Sequence, residues 1–75
     1  MALTSKPLCP KCNTEMLFDD CDFNFKGNKD NYWLCPNCHI TAITRIRYGQ
    51  ILDRAYYNEQ GDRINYERNT DFNVV

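Results

Sequence analysis

Apolar and polar residues alternate along much of this chain, and the alternation predicts strands. The run from Ile40 to Tyr48 puts Ile40, Ala42, Thr44, Ile46 and Tyr48 on one face and Thr41, Ile43, Arg45 and Arg47 on the other. This is period two, carried by the β-branched residues that strands favour. Cys21 to Phe25 alternates the same way, with Cys21, Phe23 and Phe25 sharing a face. Glu15 to Phe18 and Tyr32 to Leu34 form shorter strand segments, and Asp19-Asp20 marks a turn or a bulge between two of them. Lys26 to Asn31, rich in Gly, Asn and Asp, reads as a turn.

Beyond Gly49 the pattern is double. Leu52 and Tyr56 are four apart, which admits a short helix over Ile51 to Tyr57. Against it, Asn58-Glu59-Gln60-Gly61-Asp62 has the composition of a hairpin turn with glycine at a positive-φ position. A hairpin pairing Arg54–Asn58 with Arg63–Glu67 is the preferred reading. The chain then divides into an extended lead-in over 1–8, a core module over 9–48, a hairpin extension over 49–68 and a flexible tail over 69–75. The expected fold class is small, metal-stabilised and all-β: a β-hairpin or three-stranded sheet with a C-terminal β-hairpin extension.

The metal enters through the cysteines. The chain has 75 residues, and a domain that short buries only roughly 60% of its unfolded surface, so it needs a staple. Cys9-Pro10-Lys11-Cys12 and Cys35-Pro36-Asn37-Cys38 are two C-x2-C hooks separated by 22 residues, 13–34. A two-residue gap lets a tight turn aim two sulfurs at one ion, and two such hooks make a tetrahedron of thiolates, which zinc accepts at about 2.3 Å per sulfur. Pro10 and Pro36 fix φ where each turn begins. Asn13 and His39 follow the second cysteine of each hook and tolerate the left-handed backbone such turns use. The expected ligands are therefore Cys9, Cys12, Cys35 and Cys38, holding one structural Zn²⁺. Iron also fits four sulfurs, and His39 in place of Cys38 is a further ligand set. Cys21, the fifth cysteine, reads as a small buried hydrophobe beside Phe23 and Phe25, or else as a redox switch or alternative ligand. Trp33, two residues before Cys35, reads as core against the metal loop, or as an exposed ring.

The CPKC hook at 9–12, Met16 in the strand after it, and the run Tyr32-Trp33-Leu34-Cys35-Pro36-Asn37-Cys38 resemble a zinc ribbon, the class of four-cysteine hairpin modules that includes rubredoxin-like knuckles. The resemblance covers residues 7 to 48 and departs at Asn13 and His39, where zinc ribbons commonly carry glycine. It implies the fold and the metal. Zinc ribbons serve in transcription factors, ribosomal proteins, polymerase subunits, enzymes and regulatory adaptors, so it leaves the partner open.

Charge narrows the function. Nine Lys and Arg against ten Asp and Glu give −1, and four thiolates with a divalent ion make the loaded chain about −3, which argues against strong non-specific nucleic-acid binding. Five acids against two lysines make Asn13–Asn31 acidic, while Ile40–Leu52 holds two arginines and no acid. Arg45, Arg47, Tyr48, Arg54, Tyr56, Arg63 and Arg68 form the candidate contact surface. Arginine among tyrosines suits phosphate and base stacking, and equally the hot spots of protein interfaces. Asp53, Glu59, Asp62 and Glu67 nearly cancel the C-terminal arginines, which also admits cross-strand ion pairing on a solvated hairpin.

No catalytic constellation is evident. There is one histidine and one serine, the glycines are isolated, and Asp19, Asp20 and Asp22 read as a solvated acidic loop. No run of apolar residues is long enough for a membrane span. With no secretory signal in the sequence, five cysteines point to a reducing, cytoplasmic location. The expected function is a non-enzymatic adaptor or regulator binding a larger protein, such as a component of the transcription or translation machinery, as a monomer or small homodimer. A direct DNA or RNA binder using the same arginines is the alternative, and a rubredoxin-like iron electron carrier is a third.

Overall fold

A computed structural model describes residues 6–23 and 28–69. Phe25, most of the lead-in and all of the tail but Asn69 lie outside the described residues. Five strands follow in chain order: β1 (Leu17–Phe23), β2 (Lys29–Leu34), β3 (Thr41–Arg47), β4 (Gln50–Tyr57) and β5 (Arg63–Arg68). They form one antiparallel sheet in the order β1-β2-β3-β4-β5, each strand beside its sequence neighbours. Among the described residues there is no helix. Ile51 to Tyr57 is strand throughout, so the helical spacing of Leu52 and Tyr56 is overridden by pairing on both sides of β4.

The turns follow from residue chemistry. Tyr48 and Gly49 connect β3 to β4 with φ of +54° and +78°, the doubly positive pair whose twist suits a two-residue hairpin. Tyr48 is therefore lifted out of the alternating face assigned to it and stands 81% exposed. Gly61 takes φ +88° in the β4–β5 turn, as its composition predicts. There the Asn58 side chain also accepts from the Gln60 and Asp62 amides at 3.1 and 2.9 Å. Asp19 is the bulge anticipated at Asp19-Asp20. Lys29 to Asn31, expected in a turn, belong to β2, because β1 and β3 supply partners on both sides.

Register assigns the faces. Trp33, Ala42 and Tyr56 are neighbours across β2, β3 and β4, and Thr44 lies opposite Arg54. This face is buried, and with Cys9, Met16, Cys35 and Ile40 it makes the core, against which Cys38 packs. The core is thus built around the two hooks, and Trp33 is part of it. The opposite face carries Arg45, Asp53 and Tyr66. Cys21 and Phe23 lie on the core face, opposite Asn31 and Lys29, but on the edge strand beyond the core, so Cys21 is half-buried and Phe23 72% exposed rather than interior as alternation suggested. β1 is an edge strand, and at that end no described element covers it.

Candidate metal centre

Each hook is a knuckle with the same backbone bonds. In the first, the Asn13 amide donates to Cys9 O at 2.8 Å and the Cys9 amide to Thr14 O at 2.9 Å. In the second, the His39 amide donates to Cys35 O at 3.2 Å and the Cys35 amide to Ile40 O at 2.9 Å. Closing such a loop needs a left-handed residue after the second cysteine. Asn13 and His39 supply it at φ +63° and +57°, in the role for which glycine is the usual choice. Backbone amides then point at sulfur: Lys11 N at 3.4 Å from Cys9 Sγ, and Cys38 N at 3.3 Å from Cys35 Sγ.

The four sulfurs of Cys9, Cys12, Cys35 and Cys38 lie within 4.8 Å of one another, with Cys12 and Cys35 3.6 Å apart. A tetrahedron with ligands at about 2.3 Å separates its sulfurs by about 3.8 Å, so the cluster fits one ion. A disulfide needs sulfurs at about 2.05 Å, and all five cysteines are free. The cluster reaches four donors without His39, whose part in the knuckle is backbone geometry. Cys21 stands apart from it.

Cys9 and Cys35 are buried, Cys38 half-buried and Cys12 exposed. Thr14 joins the hooks at the exposed corner. Its Oγ1 lies 3.2 Å from Cys12 Sγ and accepts from Asn37 Nδ2 at 3.1 Å. Bonding with Thr14, through side chain and backbone, draws the Cys12 thiol down to about 6. The Cys38 thiol is pushed up to about 12, first by its hydrogen bond with Cys12 and then by burial. Crowded thiols resist losing all their protons, and a divalent cation in their midst removes that resistance. Sequence reasoning missed Thr14 and Asn37. Their positions inside and just after the hooks were visible, but not which side chain would cross between them.

The structure divides the expected contact residues. Arg54 and Tyr56 are 1% and 3% exposed and are no part of a contact surface. Arg54 Nε donates to Thr44 Oγ1 at 2.8 Å, and the Tyr56 hydroxyl donates to Glu67 at 2.5 Å. Arg45 and Arg47 lie on the exposed face but are engaged within the chain. Arg45 grips Asp53 through both Nε and Nη2, and Asp53 also accepts from the Tyr66 hydroxyl at 2.7 Å. Arg47 pairs with Asp30 at 3.2 Å. Tyr48, Arg63 and Arg68 are exposed, the Arg63 guanidinium lying 5.4 Å over the Tyr66 ring. Asp53, read from the sequence only as bulk charge balance, is the buried carboxylate on which this cluster converges, and Arg45 holds it well below the usual carboxylate range.

No family model, no curated protein and no solved structure matches this chain.

Proposed function

We propose that the four cysteines hold one structural zinc ion in a zinc-ribbon module, and that the module is a non-enzymatic adaptor or regulator that binds a larger protein. A site filled by four thiolates leaves no open coordination position, so it activates no water; its binding energy is folding energy. The observation that carries the protein-binding reading is the internal neutralisation of β3. Arg45 and Arg47, the arginines best placed for phosphate, are committed to Asp53 and Asp30, and phosphate would have to compete with those carboxylates. Large apolar side chains meanwhile stand in solvent, among them Phe18 at 55%, Ile64 at 46% and Tyr66 at 44% exposed, as suits a surface covered by another protein.

Two measurements test this. Elemental analysis of purified protein should return one zinc per chain; stoichiometric iron with visible colour would replace the structural reading with an electron carrier. Fluorescence anisotropy with random-sequence DNA and RNA should show no binding at low salt. Micromolar binding that weakens steeply with salt would establish the nucleic-acid reading instead.

A further inference from the structure

We propose that the outer edge of β5 is a docking edge for an extended acidic segment of a partner protein, which joins the sheet as a sixth strand. The proposal rests on the protein-binding reading above and names the surface and the partner's chemistry. β5 pairs with β4 on one side, and none of the described strands pairs with its other side. The Asn69 amide donates to Leu52 O at 3.1 Å. In an antiparallel ladder bonded and non-bonded pairs alternate, so Glu67 and Asn65 turn their backbone groups toward β4 while Arg68 and Tyr66 turn theirs outward. The outward Tyr66 amide is held by the side chain of Asn65 at 2.9 Å, one local bond that a partner carbonyl replaces.

Charge selects the partner. Arg63 and Arg68 are exposed, and neither forms an ion pair among the described residues. Asp62, the acid next to Arg63 in the turn, pairs with neither arginine. The one acid within β5, Glu67, already accepts the Tyr56 hydroxyl. Side chains of Arg63, Tyr66 and Arg68 share the face of Tyr57, Ala55 and Asp53, because the extra residue Ile64 is absorbed in a bulge. The three are successive positions on that face. A matching strand therefore carries two carboxylates four residues apart, opposite the arginines, with an apolar residue midway against Tyr66. A second β5 is a poor occupant, since antiparallel pairing centred on Tyr66, with Ile64 absorbed in the bulge, sets Arg63 against Arg68. The Asp-rich β1 of a second copy is the competing occupant, but its Asp20 is turned back onto the Cys21 amide at 2.8 Å.

The test uses zinc-loaded full chain and a fluorescein-labelled nonapeptide of threonines with glutamates at its third and seventh positions and valine at the fifth. A peptide with lysines replacing the glutamates is the control. Anisotropy should show the glutamate peptide binding at least roughly tenfold more tightly than the lysine peptide. Arg63→Glu with Arg68→Glu, both at exposed positions, should reverse that preference. Amide NMR shifts and slowed hydrogen exchange should centre on Tyr66 and Arg68. Lack of binding, equal binding by the double variant, or shifts centred on β1 would overturn the proposal. So would concentration-dependent protection of the β5 amides in the protein alone, with dimers or larger species in sedimentation, which would assign the edge to a second copy. A negative peptide result with the nucleic-acid arms also negative removes this edge alone. Salt-sensitive nucleic-acid binding that the double variant abolishes removes the protein-binding reading itself.

Discussion

Replacing Cys35 by serine takes a thiolate from a position with no solvent exposure, inside the core at the start of the second hook. Structural zinc contributes roughly 10–16 kcal/mol to small domains of this kind, against a typical total stability of about 5–15 kcal/mol. Cys35→Ser should therefore lose both stoichiometric metal and cooperative melting, read by elemental analysis and circular dichroism. Retention of both would overturn the ligand assignment. Thr14 offers a finer test. Its hydroxyl supports the exposed Cys12 and ties it to Asn37, and loss of such outer support typically costs about 10–100-fold in metal affinity. Thr14→Ala should hand metal to a competing chelator about tenfold faster, while Thr14→Ser should restore the original rate. If alanine and serine behave alike, the hydroxyl has no such role. The hooks themselves, with Asn13 and His39 as their left-handed residues, were legible residue by residue, because ligand spacing and backbone tolerance are local properties.

At the scale of elements, β4 is held from both sides by polar groups. Asp53 receives Arg45 from β3 and Tyr66 from β5, and its side chain is 4% exposed. Asp53→Asn should destabilise the loaded protein by about 2 kcal/mol, which lowers Tm by roughly 10 °C in a domain this size. The carboxyl is depressed in the fold, so its contribution is present at neutral pH and fades as pH falls below the ordinary carboxylate range near 4. Tyr56 gives the opposite limb. Burial first, and then its bond to Glu67, push its hydroxyl up to about 12. The fold favours the neutral phenol, so that contribution is complete below the unfolded value near 10 and is lost as pH rises through about 12. In metal-loaded protein Tyr56→Phe should flatten the alkaline decline in Tm between those values, and an unchanged decline would show that another group governs it. Alternation made it legible that Ala42, Thr44 and Ile40 share a face. It did not say which face of β4 is covered or how far the core reaches along the edge strand β1, and so Arg54 and Tyr56 were misplaced on the surface and Phe23 in the interior. The pairing of Arg45 with Asp53 was hidden further by the bulge after it, which skips Leu52 and shifts the register.

At the scale of the molecule, the sheet ends in two edges that share a device. On each, one amide is held by the side chain of the residue before it, Asp20 on β1 and Asn65 on β5. Such blunting limits uncontrolled strand addition. The five-strand order was partly legible: the hairpin around Gly61 was anticipated, whereas continuity of the metal module with that hairpin in a single sheet depends on long-range pairing that no local pattern encodes.

Cys9 and Cys35 belong both to the cluster of sulfurs and to the interior, so under the proposed metal reading capture of the ion and folding are one equilibrium. Each tenfold change in free zinc, above the level that half-saturates the chain, should then move the unfolding free energy by about 1.4 kcal/mol. Melting temperature plotted against the logarithm of buffered zinc should climb without a plateau while the unfolded chain stays metal-free. Under the proposed metal reading the chain is a thermodynamic gauge of available metal, its folded fraction set by the ion's chemical potential as much as by temperature.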